Sequence, residues 1–94
     1  MKPPTVVNVR TEKYDVYIGR GSMYGNPFKI GVHGNRAEVI ARYGAWVRTQ
    51  GQILKSLKSL TGKRLGCYCK PQPCHGDVLV ELWKKLVRNQ HNWR

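Results

Sequence analysis

The sequence predicts a small α/β domain, and three observations carry that prediction. Two short segments rich in β-branched and aromatic residues, Val6–Arg10 and Tyr14–Ile18, open the chain. Asn35, with Glu38 three residues later, forms a capping signature ahead of apolar residues at helical spacing. A third β-type segment, Leu65–Cys69, then passes through a proline-rich loop into an amphipathic helix. The expected order is β-β-α-α-β-α. It forms a small mixed β-sheet flanked by helices, in a single compact domain over residues 1–94 with flexible tails at 1–5 and 88–94.

Each element has its own local reason. Val6, Val7 and Val9 favour an extended first strand. In the second, Tyr14, Val16 and Ile18 alternate onto one face, and Thr11-Glu12-Lys13 reads as a hairpin turn. Gly19–Asn26, GRGSMYGN, holds too much glycine for regular structure. After the Asn35 cap, Val39, Ile40, Tyr43, Trp46 and Val47 share one helical face, and Gln50-Gly51 interrupts it. The next helix places Ile53, Leu54, Leu57 and Leu60 inward and Lys55 and Lys58 outward, and ends at Thr61-Gly62. The last helix runs from about Cys74 to Val87 on a stripe of Val78, Leu79, Leu82, Trp83 and Leu86. A strand–loop–helix unit of this kind is the local geometry of Rossmann-like folds, where ligands collect at the carboxyl ends of strands.

Seventeen Lys and Arg against five Asp and Glu give a net charge of +12. Such a surface attracts polyanions, so nucleic acid or a nucleotide is the expected partner. No apolar run approaches the ~20 residues that span a bilayer, and the opening Met-Lys-Pro-Pro-Thr lacks an apolar stretch. The expectation is a cytoplasmic protein with no membrane partner. In that compartment clustered cysteines point to metal or reactivity more than to disulfides.

The stretch GCYCKPQPCHGD gathers all three cysteines and one of three histidines. Three readings follow. Cys67, Cys69, Cys74 and His75 form C-x-C-x4-C-H, a donor set suited in kind to zinc, though adjacent ligands and the missing C-x2-C pair make the spacing unusual. Alternatively Cys74, at the head of the last helix with Lys70 and His75 nearby, is a thiol activated by the helix dipole, and Cys74 with His75 supplies the chemistry. The same helix start would hold an anion. Or the cysteines are small buried apolar residues.

The glycine loop offers backbone N–H groups with Arg20, Ser22 and Asn26, but matches neither established phosphate-loop spacing. Lys55, Lys58, Lys63 and Arg64 form one basic run and Lys84, Lys85 and Arg88 another. Acidic partners at i+4 are nearly absent from these runs, which favours a nucleic-acid face over a merely solvated one.

Taken together, VVNVR, YIGRG, YGNPF, VIARY and LGCYCKPQPCHGDVLVELW resemble DUF4326, a small uncharacterised domain of bacteria and their phages, over residues 5–83. The cysteine stretch is also similar to the C…CHR motif of DUF488-type α/β domains, with Gly76 where that family has arginine. The resemblance implies that GNPF and the cysteine loop share one pocket, and that a viral or mobile-element origin fits. The expected function is therefore binding of a phosphate-bearing ligand between the two loops, through Arg20, Ser22, Asn26, Lys70, Gly76 and Asp77, with Cys-based chemistry. The alternatives are a non-enzymatic, zinc-stabilised nucleic-acid-binding module and a basic viral protein that binds a host protein.

Overall fold

The computed structural model of the chain describes residues 1–91, with the backbone alone at Gln90 and His91. Its elements are β1 (Thr5–Asn8), β2 (Val16–Tyr17), α1 (Arg36–Val47), α2 (Gly51–Ser56) continued by a 3-10 turn (Leu57–Leu60), β3 (Arg64–Cys67) and α3 (Gly76–His91). The α/β class and the element order match the sequence reading, but the sheet is not mixed. Its order is β1-β3-β2, and both pairings are parallel.

The hairpin expected at Thr11-Glu12-Lys13 is absent for the same reason. β1 and β2 lie on opposite sides of β3, so the intervening chain must return across the sheet to start β2 in the same direction. It does so over Gly66. A Cβ there would meet Tyr14 Cγ and Val9 Cγ1 at 2.7 Å each, so only glycine lets this return segment lie against the central strand. Tyr14 accordingly lies ahead of β2 and is exposed, while Val16 packs on the core and Ile18 is fully buried.

The other face carries the core. Pairing aligns Val6 with Leu65 and Leu65 with Val16, and this row packs beneath the helices. Tyr43 and Val47 from α1, Ile53 from α2, Leu57 and Leu60 from the 3-10 turn, and Leu79 from α3 fill it. The capping box read from sequence is present: Asn35 Oδ1 accepts from Glu38 N–H, and Glu38 Oε1 accepts from Asn35 N–H. The second helix tightens to 3-10 geometry after Ser56, and Gly62 ends it at φ +72°.

The amino-terminal tail expected over 1–5 is tied down instead. Thr5 belongs to β1, Pro4 is fully buried, and Lys2 C=O accepts from Gly62 N–H. The tail expected at 88–94 is helical through His91, and its remaining residues, 92–94, lie outside the described ones.

α3 starts hard against the sheet. A Cβ on Gly76 would come 2.6 Å from Ile18 Cδ1 and 3.0 Å from Val6 Cγ2, both packed core residues. At Gly44, in mid-α1, the nearest atoms are an ordinary 3.8 Å away. Gly76→Ala should therefore lose about 1–3 kcal/mol through overpacking, whereas Gly44→Ala should gain up to about 1 kcal/mol of helix propensity. Urea denaturation checks both; equal stability of Gly76→Ala and the parent would contradict the close α3–sheet contact.

Candidate functional site

Parallel pairing puts the carboxyl ends of all three strands on one edge, and the two sequence motifs meet there. β2 runs directly into the glycine loop and β3 into the cysteine loop. Between them lies a half-open cavity of about 540 Å³. Arg20, Lys29 and Arg36 bring cations to it, Tyr17, Phe28 and Tyr68 bring aromatic rings, and Cys67, Cys69, Cys74 and His75 contribute lining from the cysteine loop. Among the described residues no carboxylate lines it.

Both loops are held by hydrogen bonds from outside themselves. The Tyr43 hydroxyl donates to Tyr24 C=O at 2.7 Å, and the Tyr24 hydroxyl bonds Ser56 Oγ at 2.6 Å. Asn26 uses both ends of its amide structurally: Nδ2 donates to Val39 C=O and Oδ1 accepts from Phe28 N–H. Ser22 turns back onto Gly19 C=O. On the other side Asn8, at the end of β1, donates to Lys70 C=O at 2.7 Å. Arg36 donates to Pro73 C=O at 3.1 Å, joining the start of α1 to the cysteine loop.

The residues expected to hold the anion are therefore split. Arg20 lines the cavity, and Asn26 lines it while serving the loop. Ser22 is spent on a turn. Lys70 pairs with Asp77 at 2.8 Å and faces a separate groove beside Pro3 and Pro4. Asp77 also accepts from Cys74 N–H at 3.0 Å, closing the start of α3. Gly76 is a packing position, so the arginine of the DUF488-type motif has no room here. Sequence reasoning missed Lys29, Arg36, Tyr17, Tyr68 and Asn8, which belong to no motif spacing.

The basic runs do not converge on the cavity. Lys63 precedes β3 and Arg64 opens it, at the opposite end of the sheet and about 10 Å along the strand from Cys67. Arg64 lies 4.0 Å from Asp15, and Lys84 lies 3.8 Å from Glu81. Lys85 borders a third groove, and Lys55, Lys58 and Arg88 are outside the cavity lining.

At the cavity floor the cysteines form one group. The sulfurs of Cys67, Cys69 and Cys74 all lie within 4.8 Å of one another. Cys67 and Cys74 are buried, Cys69 half-buried, and all three are free thiols. The Cys74 thiol donates to Cys67 Sγ at 3.0 Å. That bond holds the Cys67 thiol down at about 5 against its burial, helped by backbone N–H groups of Cys69 and Lys70. Cys74, as the donor, is pushed up by the same bond and then by burial. The hydrogen bond thus favours the thiolate on Cys67 over Cys74, the reverse of what the helix start alone would favour.

His75 is neutral in character. Burial lowers its pKa, and its Nε2 lies 2.7 Å from Ile18 C=O, which can only accept, so Nε2 carries the proton. Nδ1 then presents its lone pair 3.5 Å from Cys74 Sγ. His75 is not among the residues whose donor atoms all lie within 4.8 Å, so three sulfurs, not four ligands, are preassembled for a metal. Tyr43 packs edge-on against its ring at 5.0 Å.

A model of the family described as a domain of unknown function, DUF4326, matches residues 6–85, which include both motifs. The chain is similar to an uncharacterized 12.4 kDa protein of the nrdA-td intergenic region of enterobacteria phage T4. The two are 36% identical over 87 residues, covering 89% of this chain and 81% of that one. It is also similar to an uncharacterized protein of Acanthamoeba polyphaga mimivirus, 30% identical over 92 residues, covering 79% of this chain and 70% of that one. No solved structure matches the chain significantly. No described helix is long and apolar enough to cross a membrane.

The thiol pair has a pH signature. In metal-free protein, ultraviolet thiolate absorbance should show a step near pH 5 that vanishes in Cys67→Ser and moves upward in Cys74→Ala, which removes the donor. Since the folded pKa is depressed, the Cys67 thiolate stabilises the fold fully above about pH 9 and loses that contribution as pH falls through about 5. No step below neutral pH would contradict the pairing.

Proposed function

The chain belongs to the DUF4326 family, and from that premise we propose that its cavity binds a phosphate-bearing ligand of nucleotide size above the cysteine cluster. One observation carries the reading. The cavity, about 540 Å³, is lined by Arg20, Lys29 and Arg36 with no carboxylate among the described lining residues. That volume falls within the range of small-molecule sites, and uncompensated cations beside aromatic rings suit a phosphate joined to a flat, apolar group.

Arg20 and Lys29 hold the phosphate in this reading. Phe28, Val39 and Ile40 offer the apolar wall for a base or sugar. The Cys67 thiolate is the group available for nucleophilic chemistry, with Cys74 carrying the proton and the His75 Nδ1 lone pair able to accept it. Cys74 and His75 therefore serve as a proton-holding pair. The medium is the cytoplasm, host cytoplasm for a viral member, where the thiols stay reduced.

A second reading has its own observation, the three converging sulfurs. Zinc–thiolate bonds of about 2.3 Å separate sulfurs by about 3.8 Å, which the spread from 3.0 Å to within 4.8 Å brackets. The donor set fits: Cys67, Cys69 and Cys74 would hold the ion, and zinc so bound acts as a Lewis acid. Metal analysis separates the two readings. One zinc per chain, lost in Cys69→Ser, selects the metal centre, and metal-free protein with unchanged stability rejects it.

Calorimetry with adenosine 5′-monophosphate, inorganic phosphate and adenosine tests the main reading. The phosphate-bearing compounds should bind and adenosine should not. Arg20→Ala should weaken binding about tenfold or more, as loss of a hydrogen bond to a charged group does. Equal binding of adenosine and its monophosphate would overturn the phosphate reading.

A further inference from the structure

The aromatic lining continues past the cavity. Tyr17 and Tyr68 form part of its wall and meet edge to face, with ring centroids 6.4 Å apart. Tyr14 extends the row, 6.4 Å beyond Tyr17. Tyr68 is 56% exposed and Tyr14 45%, so these rings are offered to solvent and are not absorbed into the core. The Arg10 guanidinium stands 5.2 Å from the centre of the Tyr68 ring. Of the lining residues, Phe28 has the Arg42 guanidinium 6.0 Å from its ring centre and Lys29 next to it in the chain.

Cations interleaved with exposed rings in a continuous track match the needs of an unpaired strand. Phosphates follow the charge, and free bases stack on the rings. A duplex keeps its base faces stacked inside and would leave the tyrosines unused. A mononucleotide would fill the cavity and leave Arg10 and Tyr14 idle.

We propose that this chain binds a single-stranded polynucleotide, with one nucleotide seated in the cavity and the next stacked on Tyr68 toward Tyr14, its phosphate on Arg10. The proposal rests on the reading of the cavity as a phosphate site and names the polymer that enters it. It also moves the nucleic-acid contact away from the lysine runs of α2 and α3 to the carboxyl end of the sheet.

Fluorescence anisotropy with labelled thymidylate and uridylate dodecamers, and a duplex of the same length, tests the proposal beside calorimetry with the mononucleotides. At least one single strand should bind about tenfold tighter than its mononucleotide and tighter than the duplex, and the two arms compare a DNA strand with an RNA strand. Tyr68→Ala should weaken strand binding about tenfold, as loss of one stacked base does, and Tyr68→Trp should retain it. Arg10→Ala, which lies outside the cavity lining, should weaken the strand and leave the mononucleotide unaffected. A strand no tighter than the mononucleotide overturns the polymer and leaves the cavity reading standing. Duplex binding as tight as single-strand binding, or affinity that follows Lys55→Ala and Lys58→Ala while ignoring Tyr68, also overturns it. If neither strand nor mononucleotide binds, both readings fall.

Discussion

The functional end of this molecule depends on a four-residue strand, Arg64–Cys67, that pairs in parallel on both of its edges. Parallel pairing on both sides forces every strand to finish at the same end, so the chain leaves β2 and β3 side by side as loops. It also forces the link between β1 and β2 to cross back over β3, which Gly66 permits by having no side chain. The alternation of a strand then decides the rest. Leu65 and Cys67 face the helices, and Gly66 faces the returning chain. Cys67 is thus fixed both as the last core residue of the sheet and as the first residue of the cavity floor.

Local chemistry was legible in the sequence and long-range pairing was not. The Asn35–Glu38 capping box, the break at Gly51, the stop at Gly62 and the apolar stripe of α3 each depend on residues within one or two turns, so their patterns transfer directly. The parallel crossover depends on Gly66 meeting Tyr14, and nothing near either residue announces the other. The pocket between GNPF and the cysteine loop was legible as a meeting of motifs. Its membership was legible only in part. Arg36 reads as an ordinary first residue of a helix, and its bond to Pro73 C=O spans 37 positions. Lys70 reads as a cation beside a cysteine, yet Asp77 turns it to the far side of the loop.

The charge of the chain is also distributed less simply than +12 implies. Of its five carboxylates, Glu38 is in the capping box, Asp77 closes α3, Asp15 and Glu81 lie beside Arg64 and Lys84, and the fifth, Glu12, is exposed outside the cavity lining. Structural roles hold the first four away from the cavity. Its cations consequently have no carboxylate beside them in the lining, while two members of the lysine runs have acidic neighbours. A concave site concentrates such a field more than a convex helix face does.

That field has a direction inside the cavity. The thiolate on Cys67 would repel a phosphate placed on the floor, and burial would strengthen the repulsion. In the proposed complex the phosphate therefore sits near Arg20 and Lys29, with the uncharged part of the ligand toward Val39, Ile40 and the sulfurs. A metal ion on the three cysteines would reverse this order by replacing a negative floor with a compensated one. Ligand orientation and metal content are then one question: phosphate outward implies the bare thiol pair, and phosphate inward implies the ion.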